Sequence, residues 1–382
     1  MELNPPTEEM GFCSGWSTRV VFSEDSQQFV VFHKGQVKET WDVRAGFTGE
    51  EILDYDNEQY CPKTVFSPDG KYRVTFHDGG NIFVRHQESI VDGVYSIREW
   101  QIPSPLRLQR SEKPSVSFGR GTHGFCIMSV AFANILFLVD LGSQRILFST
   151  RETNFIPRCH KQTAPILCNR RFMLWQDLNN TIVVVIHQGT DTENFGRRPQ
   201  VSMILPPLDS FVAHPIDDSL VVAARAQVLG DGSHTITHEF YLIRLFWSTE
   251  TEEERPSLGH IEVAARKQLS TPEKVDMLLE RSDLPRHMPR MFWFSDGKHL
   301  AYFFDRTFHL LLVDKDAPRD RLMEFDPDPK ALPSILIEKA NTFIRTQMSP
   351  LGCILWAHLS PNERSLVVRL KSDVESTCIV SI

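Results

Sequence analysis

Short apolar runs alternate with turn residues along the chain, and one stretch shows the pattern most clearly. The segment Phe66–Lys71 reads Phe-Ser-Pro-Asp-Gly-Lys and is followed at once by the apolar run Tyr72–Phe76. Proline, aspartate and glycine in this order favour a tight turn, and the flanking runs are typical of paired strands. The stretch therefore predicts the first hairpin of an antiparallel sheet.

The same pattern occurs seven times. The residues before the seven turns are Phe22, Phe66, Phe118, Cys168, Ala213, Phe294 and Leu359. The first four steps are about 44 to 52 residues, near the roughly 40–45 expected of a four-stranded propeller blade. The last two steps are longer, about 81 and 65 residues, and we expect the excess to lie in loops. Because Phe66, Phe118 and Phe294 share one position in the repeat, we expect them to be buried between neighbouring sheets.

The first repeat shows three predicted strands, and the third contains the dipeptide Trp41-Asp42. In this dipeptide and in the repeat length the chain resembles a WD-repeat β-propeller. Two other repeats end the corresponding strand on Val139-Asp140 and Val313-Asp314, whereas the Gly-His pair of that family is essentially missing. The resemblance implies an all-β fold: a single seven-bladed β-propeller of four-stranded antiparallel blades, spanning residues 1–382.

The last repeat supplies only three strands before the sequence ends. In a closed ring of blades, both faces of each sheet are covered and only short edges remain. We therefore expect the first 15 residues, chiefly Asn4–Cys13, to add the fourth strand of the last blade.

The long step between the fifth and sixth repeats predicts an insertion at about residues 230–288. Within it, Glu239–Leu245 and His260–Ala265 are predicted strands, and Pro272–Arg281 is a predicted helix with Val275, Leu278 and Leu279 on one face. Ser334–Gln347 is a second helix candidate, although its β-branched residues leave a strand open. One or two short helical insertions are thus expected.

Two local motifs have competing interpretations. Gly119–Gly124 fits the glycine pattern of a dinucleotide-binding loop, and Asp140 lies where a ribose-binding acid is expected. A dinucleotide fold needs a helix next, but Phe125–Val130 is better strand, so we favour a hairpin. His214-Pro215 takes the Ser-Pro place of its turn, which favours a structural role.

Charge and composition argue against some classes of function. The net charge of −8 argues against sequence-independent binding of nucleic acid, and no apolar run reaches the length of a membrane span. Seven cysteines without a framework pattern indicate a reducing compartment, the cytoplasm or alternatively the nucleus. Cys159, His160 and Cys168 lack the paired spacing of a zinc site. We expect no metal and no cofactor.

These observations favour a protein-interaction scaffold, or a subunit of a larger complex, without catalysis of its own. Its partners are proteins that the sequence does not identify. The predicted contact residues lie on the rim, where strands start and second strands turn into third strands, and on the insertion helix; they are Tyr60, Arg158, His160, Arg290, Arg306, Val275, Leu278 and Leu279. The alternative is a propeller hydrolase or lactonase with a metal in the central channel, which bound calcium or zinc would favour.

Overall fold

The structure is a computed structural model, and it describes 21 ranges of residues along the chain. These are residues 18–22, 26–33, 37–52, 63–67, 71–76, 81–89, 95–103, 115–121, 124–132, 135–150, 166–168, 172–186, 200–228, 236–248, 257–271, 290–304, 307–314, 321–324, 331–347, 353–371 and 375–382. The chain divides into two compact units, Met1–Leu205 and Pro206–Ile382.

The first unit contains four antiparallel sheets whose strands lie side by side in chain order. Sheet one is β1 (Thr18–Phe22), β2 (Gln28–His33), β3 (Val37–Asp42) and β4 (Gly46–Ile52). Sheet two is β5 (Lys63–Phe66), β6 (Tyr72–Phe76), β7 (Asn81–Ser89) and β8 (Tyr95–Pro103). Sheet three is β9 (Ser115–Gly121), β10 (Gly124–Phe132), β11 (Ile135–Asp140) and β12 (Arg145–Ser149). Sheet four is β13 (Ile166–Cys168), β14 (Phe172–Gln176), β15 (Thr181–Ile186) and β16 (Gln200–Ile204).

The second unit contains three further sheets with the same strand order, and one helix. Sheet five is β17 (Ser210–Ala213), β18 (Leu220–Val228), β19 (Ile236–Ser248) and β20 (Ser257–Thr271). Sheet six is β21 (Arg290–Trp293), β22 (His299–Phe304), β23 (Thr307–Asp314) and β24 (Arg321–Glu324). The helix α1 (Leu332–Gln347) precedes sheet seven, which is β25 (Cys353–Leu359), β26 (Ser365–Lys371) and β27 (Glu375–Ser381).

The predicted all-β class and repeated unit are therefore confirmed. The described residues form seven antiparallel sheets of three or four strands, and each sheet has the size and strand order of a propeller blade. Five of the seven sheets have a first strand that ends at the residue predicted from the repeat spacing: Phe22, Phe66, Cys168, Ala213 and Leu359. Within the described ranges sheet seven has three strands. Its proposed fourth strand, Asn4–Cys13, lies outside those ranges and stays a prediction, as does closure into one ring.

Neighbouring sheets within each unit share cores. In the first unit one cluster joins sheets two, three and four through residues such as Val84, Leu138 and Trp175. In the second unit Phe240 of sheet five packs in one cluster with Tyr302 of sheet six. Apolar residues on both faces of a strand explain this arrangement, because a single sheet cannot cover both of its own faces. The shared cores are what stacked blades require.

The sixth sheet differs from the sequence prediction by one residue. The amide of Phe294 donates to the carbonyl of His299 at 2.9 Å, and the amide of Ser67 donates to that of Tyr72 at 2.8 Å. Phe294 thus corresponds to Ser67, and Trp293 is the counterpart of Phe66. Phe294 is nevertheless fully buried, as predicted.

The third sheet departs from the prediction in another way. Phe118 lies inside β9 rather than at its end, and it is only partly buried, against the core of the first unit. The prediction of a buried, strand-ending Phe118 is therefore wrong. The glycine-containing continuation of β9 extends the strand to Gly121, so Phe118 no longer ends it. Phe66 ends β5, but its side chain is not among those described.

The predicted helix at Ser334–Gln347 is confirmed as α1, and the alternative of a strand is excluded. Leu336, Ala340 and Ile344 repeat every four residues on one face and are fully buried. They pack in one cluster with sheets six and seven. The side-chain amide of Asn341 accepts a hydrogen bond from the amide of Phe308 at 2.8 Å and donates one to its carbonyl at 2.9 Å. The described helix is not long and apolar enough to cross a membrane.

The expected insertion at residues 230–288 is partly a continuation of sheet five. β19 and β20 are 13 and 15 residues long, and they pair from Ile236 with Thr271 to Ser248 with Ser257. The two predicted strands at Glu239–Leu245 and His260–Ala265 are thus confirmed but are longer than expected. The predicted helix at Pro272–Arg281 lies outside the described residues.

Candidate functional site

Most residues that the sequence suggested for partner binding lie outside the described part of the chain. This applies to Tyr60, Arg158, His160, Arg306, Val275, Leu278 and Leu279. Arg290 begins β21 and pairs with Phe303, but its side chain is not among those described. The described residues therefore do not test this predicted surface, which stays a prediction.

The glycine-rich segment is a hairpin. Gly119 and Gly121 belong to β9, and Gly124 begins β10 directly opposite Gly121. The predicted hairpin is confirmed, since a strand and not a helix follows the glycines. Asp140 caps the next turn: its Oδ1 accepts hydrogen bonds from the amides of Gly142 at 2.9 Å and Ser143 at 3.2 Å.

His214 has the structural role that its turn position suggested. Its Nδ1 accepts hydrogen bonds from the amides of Ile216 at 3.2 Å and Asp217 at 2.9 Å, so its proton is on Nε2. Nε2 lies 2.8 Å from the carbonyl oxygen of Gly297 and donates to it. The buried ring thereby ties the first turn of sheet five to that of sheet six, and it stacks edge-on against Trp293 at 4.8 Å.

A charged cluster that sequence reasoning missed lies at one end of sheet five. It consists of Arg225 on β18, Glu239 and Tyr241 on β19, and Arg266 on β20. Arg225 is directly opposite Glu239, and Tyr241 is directly opposite Arg266. Because side chains alternate between faces along a strand, all four lie on one face. We call these four residues the sheet-five cluster.

The sheet-five cluster lies just past the pairing of β17 with β18. That pairing begins at Ser210, opposite Ala224, and Arg225 is the next residue on β18. The same end of the sheet carries the connection from β18 to β19. It is therefore an end where a first strand starts and where a second strand turns into a third, which is the kind of place the sequence suggested for partner contacts.

Glu239 is the centre of the sheet-five cluster. Its carboxylate accepts hydrogen bonds from Arg225 Nε, from the Tyr241 hydroxyl at 2.7 Å and from a terminal nitrogen of Arg266 at 2.7 Å. The guanidinium carbon of Arg266 also lies 5.5 Å from the centre of the Tyr241 ring. The side chain of Glu239 is 5% exposed, whereas that of Arg266 is 55% exposed. The cluster thus presents an ordered arginine above a buried carboxylate.

The electrostatics of the sheet-five cluster fix its charges. Burial raises the pKa of Glu239, but the hydrogen bonds from Arg225, Tyr241 and Arg266 outweigh burial and lower the pKa from 4.5 to about 2. Burial and the hydrogen bond to Glu239 raise the pKa of Tyr241 above its ordinary value of 10.0. Neither Glu239 nor Tyr241 changes its protonation near neutral pH. The cluster is therefore suited to binding by fixed charge and not to proton transfer.

The described residues form no candidate metal site. Among them, no three histidine, cysteine, aspartate or glutamate side chains are grouped so that they could hold a metal ion.

The one sequence signal for the sheet-five cluster is the placement of charged or polar residues at alternate positions of apolar strands. Arg225 and Gln227 show it on β18, and Glu239 and Tyr241 show it on β19.

Comparisons with known proteins add little to this. No protein-family model matches the chain, and no curated protein matches it. Among solved structures, the chain is similar to one described as "Structure of Dos1 propeller", with a TM-score of 0.45 and 10% sequence identity. That similarity covers 94% of this chain and 77% of the other. Identity and TM-score at this level do not establish a family.

Proposed function

We propose that this protein is a non-catalytic protein-interaction scaffold, or a subunit of a larger complex, built as one seven-bladed propeller of the WD-repeat type. The repeated four-stranded sheets support the architecture. Rigid sheets of this kind hold loops and strand ends in fixed positions, and binding residues are commonly placed there. The insertion at about residues 230–288 supplies one such element.

One observation carries the proposal: the sheet-five cluster holds Arg266 exposed and ordered. Arginine and tyrosine are enriched among the residues that contribute most to protein interfaces. The salt bridge to Glu239 and the contact with the Tyr241 ring restrict the guanidinium before a partner arrives, so less side-chain entropy is lost on binding. Groups that keep one charge state near neutral pH favour recognition over acid–base catalysis.

Affinity purification of the tagged full chain, followed by mass spectrometry, tests the proposal. Proteins recovered in stoichiometric amounts support a scaffold. The predicted helix is tested by replacing residues 272–284 with a glycine-serine linker, which leaves β20 intact. An unchanged melting curve with loss of a partner would assign the contact to that segment. Recovery of no partner, together with calcium or zinc bound to the purified protein, would overturn the scaffold and favour a propeller hydrolase or lactonase.

A further inference from the structure

The chemistry of the sheet-five cluster indicates what its exposed arginine binds. The described hydrogen bonds of Arg266 use one of its five N–H donors, on Glu239 Oε1. More than half of the side chain is exposed, and β20 is the outermost strand of its sheet. The remaining donors are therefore accessible to a ligand, and their planar arrangement suits an oxyanion.

The charge balance selects among oxyanions. Two guanidinium groups, from Arg225 and Arg266, surround the carboxylate of Glu239. Asp209, whose Oδ2 accepts a hydrogen bond from the amide of Ala226 at 2.7 Å, adds a carboxylate next to Arg225, so the site carries at most one positive charge. One positive charge balances one carboxylate. A phosphate dianion at the same place would keep an excess negative charge beside the buried Glu239, within a chain whose net charge is already −8. The balance therefore favours a carboxylate over a phosphate.

We propose that Arg266 binds a side-chain carboxylate of an acidic protein segment, with Glu239 and Tyr241 positioning its guanidinium. This rests on the proposed scaffold function and specifies the chemistry of the partner. Arg225 has a different place: its Nε donates to Glu239, another of its nitrogens donates to Gln227 at 2.9 Å, and its side chain is 18% exposed. Arg225 therefore anchors the carboxylate of Glu239, and Arg266 contacts the ligand.

The test uses the full chain and a fluorescein-labelled peptide of six glutamates, with binding followed by fluorescence anisotropy. A peptide of six glutamines is the matched probe without charge. We expect the glutamate peptide to bind and the glutamine peptide not to bind, with affinity falling as salt is added. Arg266→Ala should weaken binding about tenfold or more, because hydrogen bonds between charged groups are the strong ones. Inorganic phosphate should compete poorly at equal ionic strength.

Lys267→Ala is the control, because it removes the same charge from the next residue of β20. Lys267 pairs with Phe240 and projects from the opposite face of the strand, so its loss should leave binding within about twofold. Arg266→Gln is the second variant: its amide can still donate to Glu239 but carries no charge. This variant should have the melting temperature of wild type but no longer bind the glutamate peptide, which separates an effect on binding from an effect on folding.

Two results would overturn the inference. One is wild-type protein that does not distinguish the glutamate from the glutamine peptide. The other is equal loss of binding in Arg266→Ala and Lys267→Ala, which would reflect net charge alone. Failure of the scaffold is distinguishable from both. If wild type and Arg266→Ala recover the same cellular partners, the scaffold stands without this contact; if wild type recovers none, the scaffold fails whatever the peptide does.

Discussion

Replacing Gly297 with alanine should reveal how tightly the first turns of sheets five and six are joined. Gly297 has φ +63°, a conformation that L residues rarely adopt, and a Cβ built on it would lie 2.7 Å from Cε1 and 2.9 Å from Nε2 of His214. Unfavourable backbone geometry costs about 1–2 kcal/mol, and overpacking of a buried ring costs about 1–3 kcal/mol more. We therefore expect Gly297→Ala to lower the free energy of unfolding by about 3 kcal/mol.

A second glycine separates these two contributions. Gly46 also has positive φ, +84°, but nothing lies within 4 Å of its Cβ position. Gly46→Ala should therefore cost only the backbone contribution, about 1 kcal/mol. Chemical denaturation of the full chain measures both variants. In the double variant His214→Ala with Gly297→Ala the ring is gone, so the added methyl should cost about 1 kcal/mol, which gives a coupling of about 2 kcal/mol. Equal losses in the two glycine variants, or additive losses at His214 and Gly297, would refute the tight contact.

Three further perturbations follow from described contacts. The pKa of Glu239 is lowered in the folded protein, so its contribution of about 3 kcal/mol to the free energy of unfolding is present above pH 4.5 and disappears as the pH falls towards 2. Denaturation of Glu239→Gln between pH 2 and 7 should not show this loss. The same pH dependence in the variant and in wild type would contradict the prediction. Asn341→Ala should cost about 1–3 kcal/mol through its two hydrogen bonds with Phe308, while the exposed neighbour Thr342→Ala should cost less than about 0.5 kcal/mol. Asp140→Ala should lower stability by about 1 kcal/mol, and wild type should not bind nicotinamide or flavin dinucleotides. Micromolar binding of a nicotinamide dinucleotide, measured by calorimetry and abolished by Asp140→Ala, would disprove its purely structural role.

The repeat could be predicted from sequence because turn chemistry is local. Turn residues and the strands beside them recur at a spacing that a four-stranded sheet explains, and α1 has a four-residue apolar period that no strand shares. The one-residue offset in sheet six was not predictable in this way. There Phe294 occupies the place that serine takes in the second and seventh sheets, and an aromatic residue before Ser-Asp-Gly suggests the strand end instead.

The sheet-five cluster was not predicted for a different reason. Its residues are 41 positions apart at the extremes, from Arg225 to Arg266, and only the register of three strands brings them together. The alternation of polar and apolar residues within β19 marks Glu239 and Tyr241 as unusual, but it does not show which arginines contact them. Pairing register depends on where each hairpin turns. Gly230-Asp231-Gly232 signals a turn between β18 and β19, but the acidic segment between Ser248 and Ser257 does not fix where β19 turns into β20.

The side-chain amide of Asn341 has a consequence for solubility. Within the described residues, β24 pairs with β23 only over Leu311–Asp314, so Phe308 lies beyond the end of β24. A strand with free amide and carbonyl groups at its margin can recruit a strand from another molecule. Asn341 occupies both groups of Phe308, and the helix that carries it is anchored by its buried face. This helix therefore covers the margin of β23 at Phe308, where the backbone groups of the strand would otherwise be open to another strand.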